Sequence, residues 1–354
     1  MQGIITYICA DFYASPIYKN LYNRTSYISI MNELRRDYFT DRWVIIATER
    51  AKRPTDFVKP KAPEQLVDTK SCPFCGGNEN LTPPSKATYF IDNNTLKHEP
   101  DIEKQTRRSV WVSRIIPNLF PAAQPLPLEV RSEHLLTASG IHEVLVESPD
   151  HFKQPQAMSD ADIKLLFKVY RDRYEEISRM PFVKYVSEFR NFGKEAGASL
   201  AHPHSQIIAL PIVPRAIQEQ YNRDYSPIIA REEKSDRFIS GSTHALAFTP
   251  YASAFSYEVL VFPRRPCKNI LELTDDERDD LAVTTRDVLK RIKALLADPP
   301  YNYGIVQSNF DPLHMHIRIC PKLGIEAGFE LNTGININSV PPEAAAKSLR
   351  EVTL

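Results

Sequence analysis

Glu143-Val-Leu-Val146 recurs as Glu258-Val-Leu-Val261, and the same succession of features follows each copy. At an equal distance downstream stands a helix start, Ser159 with Asp162 in one copy and Thr274 with Glu277 in the other. Both pairs match the capping box, in which a hydroxyl and a carboxylate satisfy N–H groups that have no intrahelical partner. Behind the first cap, Ile163, Leu166, Phe167, Tyr170, Tyr174 and Ile177 fall on one helical face. Behind the second, Leu281, Val288, Leu289, Ile292, Leu295 and Leu296 do the same. A proline-containing break and a β-prone stretch come next, FVKYVSEF in one copy and YNYGIVQS in the other. Each unit then ends in His-x-His: His202/His204 and His314/His316. These features predict an α+β fold, a duplicated unit with antiparallel sheets and packed helices. The division falls after Pro214, giving units 31–214 and 215–354.

Composition narrows the function classes. The 354 residues hold 44 Lys+Arg against 44 Asp+Glu, so no global basic field exists to attract a nucleic acid. Hydrophobic residues at 42% and charged residues at 25% are ordinary for globular chains, and the length suggests two domains, each with its own core. No apolar run reaches the roughly 18 residues that a membrane span requires, so no membrane partner is expected. The five cysteines are an odd count with only Cys72 and Cys75 close together, which argues for a reducing compartment and a cytoplasmic protein. Residues 1–30 carry five tyrosines and few charges. They read as an N-terminal extension outside the core, the alternative being an arm docked on the body.

Three clusters can do chemistry. In Ala-His202-Pro-His204-Ser-Gln206, strand alternation would put His202, His204 and Gln206 on one face. A neutral imidazole can attack phosphorus when its other nitrogen is held, and a glutamine amide can donate to a phosphate oxygen. Upstream, Asn191-Phe-Gly193-Lys-Glu-Ala-Gly197-Ala-Ser199 supplies glycines, an amide and a hydroxyl suited to a phosphate-binding turn. One His-x-His alone more often belongs to a core; the neighbouring turn shifts the reading towards a phosphate site. Second, Cys72-Pro-Phe-Cys75-Gly-Gly is a zinc-knuckle pattern, favoured over a redox dithiol because Gly-Gly-Asn does not open a helix. Histidines must complete the site, the candidates being His142, His151, His202 and those near His314. Third, Arg50-Ala-Lys-Arg53-Pro is a basic cluster that could clamp phosphate oxygens.

These motifs resemble the galactose-1-phosphate uridylyltransferase branch of the histidine-triad superfamily. The likeness rests on Gly197-x-Ser199, His202-Pro-His204-Ser-Gln206, Arg50-Ala-Lys-Arg53, Cys72-x-x-Cys75, Asn118-Leu-Phe120-Pro, Glu147-Ser-Pro-Asp-His151 and Gly328-Phe329-Glu330, in that family's order from about Asn32 onward. It implies two histidine-triad-like halves and ping-pong nucleotidyl transfer. His204 would attack the α-phosphorus of UDP-glucose, and the uridylyl-histidine would pass its group to galactose 1-phosphate. Ser199 and Gln206 would assist catalysis. Arg50, Arg53, Asn118, Phe120, Asn191, Gly197, Phe329 and Glu330 would contact substrate. The resemblance implies a structural zinc on Cys72, Cys75, His151 and His202, and a homodimer acting on a nucleotide sugar and a hexose 1-phosphate.

The chain departs from that pattern in places. Val306 stands where a second metal site would need histidine, and Gln220 is nearest to its expected glutamate, so a second metal is not expected. Leu119 replaces an acidic residue, Gly324 a lysine and Phe329 a tyrosine. The Asn-Leu-Phe-Pro stretch and the Gly328–Asn338 tail are similar to the plant-type branch that works on ADP-glucose with phosphate. The alternatives are therefore an ADP-glucose phosphorylase and, from another class, a zinc-stabilised protein that binds nucleotides without turnover.

Overall fold

The computed structural model describes residues 32–52, 69–103, 105–310 and 312–354. The expected extension at 1–30 and Arg53 of the basic cluster lie outside the described residues.

The first half contributes strands β1 (Glu33–Arg36), β2 (Trp43–Ile46), β3 (Ala87–Asp92), β4 (Thr95–Glu99) and β5 (Ser113–Pro117). There follow a hairpin of β6 (Val130–Ser132) and β7 (Leu135–Leu136), then β8 (Ile141–Val146), helix α1 (Asp160–Ser178), β9 (Tyr185–Phe192) and β10 (His204–Leu210). Two short helices, α2 (Arg215–Gln218) and α3 (Ser226–Glu232), lead into β11 (Phe238–Gly241), β12 (Ala245–Phe248) and β13 (Val259–Pro263). Helix α4 (Asp275–Leu296), β14 (Tyr301–Val306) and β15 (His316–Pro321) repeat the pattern of the first half. The chain closes with α5 (Gly328–Thr333), β16 (Asn336–Asn338) and α6 (Pro342–Glu351).

Both long helices begin where the sequence places them. Ser159 accepts from Asp162 N–H and Thr274 from Glu277 N–H, each completing a reciprocal capping box. Replacing such a cap by alanine costs about 1 kcal/mol. All six apolar residues expected on the first helical face are buried.

The halves are not two bodies with separate cores. Eleven strands form one sheet in the order β11-β12-β13-β15-β14-β9-β10-β8-β5-β3-β4. The seam is the antiparallel pair β9 and β14, with Tyr301 opposite Phe192 and Ile305 opposite Glu188. Helices α1 and α4 pack together on one side, and a single apolar cluster takes Leu166 and Tyr170 from one half with Leu281 and Ile292 from the other. The length-based expectation of two separate cores fails because joining the sheets removes two edges that would otherwise expose unpaired backbone groups.

The recurring tetrapeptide is not equivalent residue for residue. In β8, Leu145 enters the main core while Val144 and Val146 pack on the opposite side with Cys72 and Phe74. In β13 the polarity reverses: Val259 and Val261 enter the main core and Leu260 faces away with Phe262. Accordingly Val146 pairs with His204, whereas Val261 pairs with Ile317, one residue past His316. A one-residue offset turns every side chain to the other face of a strand. Both arrangements are stable because these letters are apolar on either face, each buried side chain contributing about 1.5–3 kcal/mol.

Candidate active site and metal cluster

The two histidines of the first pair serve different places. The expected common face of His202, His204 and Gln206 holds only for the last two, since β10 begins at His204. Pro203 has no N–H with which to extend the ladder, so His202 stays in the preceding turn.

His202 donates its Nε2–H to Ser148 O at 2.8 Å, which leaves Nδ1 as a lone pair. That lone pair stands 3.7 Å from Cys72 Sγ, 3.5 Å from Cys75 Sγ and 3.4 Å from His151 Nδ1. His151 Nδ1 is 3.3 Å from Cys75 Sγ. A tetrahedral ion with metal–sulfur and metal–nitrogen bonds of about 2.3 and 2.0–2.1 Å requires N···S edges of about 3.6 Å and N···N edges of about 3.3 Å. The observed spacings meet that requirement. Burial, with Cys72 alongside, pushes the Cys75 thiol up to about 12, and burial pushes His202 down to about 4. A neutral imidazole is ready to ligate, while the sulfurs need a cation to become thiolates. The four side chains are buried and could hold a metal ion. Of the histidines left open by the sequence, His151 and His202 belong to this cluster; His142 and His314 do not.

His204 donates Nδ1–H to His202 O at 2.8 Å, so Nε2 carries the lone pair. Phe74 lies against the ring at 5.5 Å between centroids. Burial lowers the His204 pKa from its ordinary value, keeping the imidazole neutral. Behind it, Arg190 Nη1 donates to His204 O at 3.0 Å and to Glu147 Oε2 at 2.9 Å. Ser205 Oγ donates to Glu147 Oε1 and bonds to Tyr170 OH, which lies 2.8 Å from Tyr303 OH of the second half. The strand that bears His204 is thus fixed by a buried network reaching across the seam.

The second pair copies this backbone chemistry. His314 donates Nε2–H to Pro263 O and His316 donates Nδ1–H to His314 O, both at 3.1 Å. Its surroundings differ: the His316 ring stacks on Phe262 at 4.5 Å, with Phe39 nearby, and among the described residues neither His314 nor His316 belongs to a metal-ligating cluster. An imidazole so enclosed has a held tautomer, and burial pushes its pKa down to about 3.

The other expected site residues divide into two groups. Gln206 shares the His204 face. Its partner in register is Phe189, so Asn191, two residues on, runs alongside His204. Asn302 Nδ2 donates to both Asn191 Oδ1 and Ala196 O at 2.8 Å, tying the glycine turn to the second half. Gly193 and Gly197 have φ of +83° and +87°, which explains the glycines there, and exposed Ser199 follows the turn. Asn118 Oδ1 accepts from Phe120 N–H at 2.9 Å, and the Phe120 ring is 84% exposed. Arg50 and Glu330, by contrast, line a cleft with Phe255, Pro321 and Gly324. Pro321 ends β15, three strands from β10, or about 14 Å along the sheet. Phe329 sits beside Glu330 on α5, partly exposed. The sequence does not mark Arg190, Asn302 or the contact of His142 with Gln206, because their partners lie away from them in the chain.

Residues 23–214 match the galactose-1-phosphate uridyl transferase N-terminal domain, and residues 182–353 match its C-terminal domain. The chain belongs to this family. Within it, the chain is 34% identical over 343 residues to the ADP-glucose phosphorylase of Arabidopsis thaliana, covering 91% of this chain and 93% of that one. It is 30% identical over 344 residues to a galactose-1-phosphate uridylyltransferase of Thermotoga maritima, covering 91% and 98%. Among solved structures it is similar to an Arabidopsis thaliana ADP-glucose phosphorylase with bound ADP-glucose, with a TM-score of 0.75, 32% identity and coverage of 92% and 99%. It is also similar to a uridylyltransferase, with a TM-score of 0.65, 25% identity and coverage of 90% and 97%. The galactose-1-phosphate uridyl transferase family and the histidine-triad α+β fold therefore account for nearly the whole described chain, and the family makes it a nucleotidyltransferase or phosphorylase. Among the described residues no helix is long and apolar enough to cross a membrane.

Proposed function

We propose that the protein transfers a nucleotidyl group from a nucleotide sugar through a covalent nucleotidyl-His204. The observation that carries this reading is the His204 Nδ1–H bond to His202 O, which leaves Nε2 as the nucleophile beside Gln206. Nε2 attacks the α-phosphorus, the phosphorus–oxygen bond to the sugar phosphate breaks, and that oxygen leaves with the electron pair. A second phosphate oxygen then attacks the same phosphorus and frees the imidazole. The Gln206 amide and the Gly193–Ser199 turn would hold charge that develops on the phosphate oxygens.

Adenylyl transfer from ADP-glucose to inorganic phosphate is favoured by the 34% identity to an ADP-glucose phosphorylase and by Leu119, where the resemblance to the uridylyltransferases would call for an acid. Uridylyl transfer from UDP-glucose to galactose 1-phosphate is the second reading, supported by the 30% identity to the Thermotoga maritima protein. Release of glucose 1-phosphate from each donor and acceptor pair separates them. We expect ADP-glucose with phosphate to give the higher kcat/KM by at least about tenfold, a difference of about 1.4 kcal/mol in transition-state binding. The reverse order would assign the uridylyl reaction, and no release from either donor would remove the proposal.

We further propose that the metal is zinc and that the cytoplasmic protein is a homodimer. The two-thiol, two-imidazole donor set supports zinc, which would brace the 72–75 knuckle against the turn before His204. The dimer is supported by the distance between His204 and the cleft holding Arg50 and Glu330, which a second copy could bring to the nucleophile. The division of the duplicated unit at residues 214 and 215 belongs to the same proposal. Native mass spectrometry should record a dimer with one zinc per chain, and Cys72→Ser should remove the metal. A monomer would dismiss the dimer, and a metal-free native mass would dismiss the zinc.

A further inference from the structure

We propose that His142 is the positioning residue that decides which end of the Gln206 side chain faces the transferred phosphate, an inference that rests on the nucleotidyl-transfer reading. A glutamine amide has two ends of nearly equal shape and opposite polarity, an NH2 that attracts a phosphate oxygen and a carbonyl that repels it. Nothing in the shape of Gln206 selects between them. Its hydrogen-bond partner does.

His142 lies on β8 directly opposite Ile208, so its side chain shares the face that carries Gln206. The backbone N–H of Ala122 donates to His142 Nδ1 at 3.0 Å. A backbone amide can only donate, so Nδ1 holds the lone pair and the ring hydrogen sits on Nε2. That Nε2 stands 2.8 Å from Gln206 Oε1, which must accept from it. The Gln206 NH2 is therefore turned away from His142 and left for an anion beside His204. The opposite flip would set the NH2 against the Nε2–H and offer the carbonyl to the phosphate.

The same histidine anchors the segment that carries Asn118 and Phe120, expected to contact substrate. Asn118 N–H donates to His142 O at 3.0 Å, and Ala122 N–H holds the ring at Nδ1. Asn118 Oδ1 accepts from Phe120 N–H, so its NH2, 3.0 Å from His142 Nε2–H, makes no hydrogen bond to the ring and leaves that hydrogen to Gln206. One imidazole thus sets the polarity of Gln206 and ties the Asn118–Ala122 segment to it. Its influence runs through a side chain that would touch phosphate, while His142 itself need not touch the substrate.

Two variants of the full-length chain separate these duties. In His142→Asn the side-chain oxygen can still accept from Ala122 N–H, but the chain is too short to reach Gln206. In His142→Gln the amide is long enough to donate to Gln206 Oε1 again. The assay is glucose 1-phosphate release from the nucleotide sugar and acceptor that the wild type uses, with thermal melting alongside. His142→Asn should lower kcat by about tenfold to a hundredfold while KM changes less than about threefold, because the misdirected donor acts on charge formed in the transition state. His142→Gln should return kcat to within about threefold of wild type. In a Gln206→Leu background, His142→Asn should cost nothing further, since the residue it positions is gone. A His142→Asn enzyme at wild-type kcat, or losses that multiply undiminished in the double variant, would overturn the assignment. A wild type that neither releases glucose 1-phosphate nor forms a labelled intermediate would instead bring down the underlying nucleotidyl-transfer reading.

Discussion

His204→Asn should leave the protein folded and stop nucleotidyl transfer, lowering turnover by at least about four orders of magnitude, as removal of a covalent nucleophile does. The substitution is chosen because an asparagine NH2 can occupy the place of Nδ1–H and keep the bond to His202 O, so the turn that carries His202 stays in place. Only the attacking nitrogen is lost. Water cannot take over, because Gln206 has no proton to accept or return at neutral pH and so cannot activate it. Wild type incubated with a nucleotide sugar labelled in its α-phosphate should retain an acid-labile, base-stable label, and His204→Asn should retain none. His316→Asn supplies the comparison: His316 holds the same tautomer, yet Phe262 and Phe39 enclose its ring. The label should survive that change. Undiminished turnover in His204→Asn would end the covalent account.

Much of this arrangement is written locally in the chain. The caps at Ser159 and Thr274 and the helices behind them were legible because helix starts and apolar periodicity depend on residues within a few positions. The thiol pair was legible too, since a Cys-x-x-Cys turn aims two sulfurs at one point whatever surrounds it. What escaped depends on partners far along the chain. The recurring Glu-Val-Leu-Val suggested equivalent strands, but three consecutive apolar letters fit either face, and only pairing with β10 and β15 fixes which is which. Alternation alone would put His202 on the strand, but Pro203 lacks the N–H that would extend the ladder, and β10 begins at His204. That Arg50 and Glu330 share one cleft while His204 lies elsewhere follows from strand order, which no local spacing encodes. Asn302 and His142 act across 111 and 64 positions respectively.

Arg190→Met should destabilise the protein by about 3–5 kcal/mol, the cost of leaving one member of a buried ion pair without its partner. Arg190 and Glu147 are both buried, and Arg190 Nη1 also donates to His204 O on the strand between them. Burial pushes the Glu147 carboxyl up from its ordinary value, and Arg190 is the charge that opposes this. The guanidinium also donates to His204 O, Tyr301 OH and Gln154 Oε1, so its loss strands several acceptors at once. Urea unfolding followed by tryptophan fluorescence should show the lower midpoint with an unchanged slope. Adding Glu147→Gln to Arg190→Met removes the uncompensated charge while keeping an amide for Ser205 to bond, and should recover a substantial part of the loss. The kinetic effect should not recover with it. Without Arg190 the carbonyl of His204 has lost its anchor, and the ring attached to the same backbone is no longer held for in-line attack, where small displacements are costly. A double variant restored in stability yet still slow would assign Arg190 to placing the nucleophile, whereas full recovery of both would make the pair purely structural.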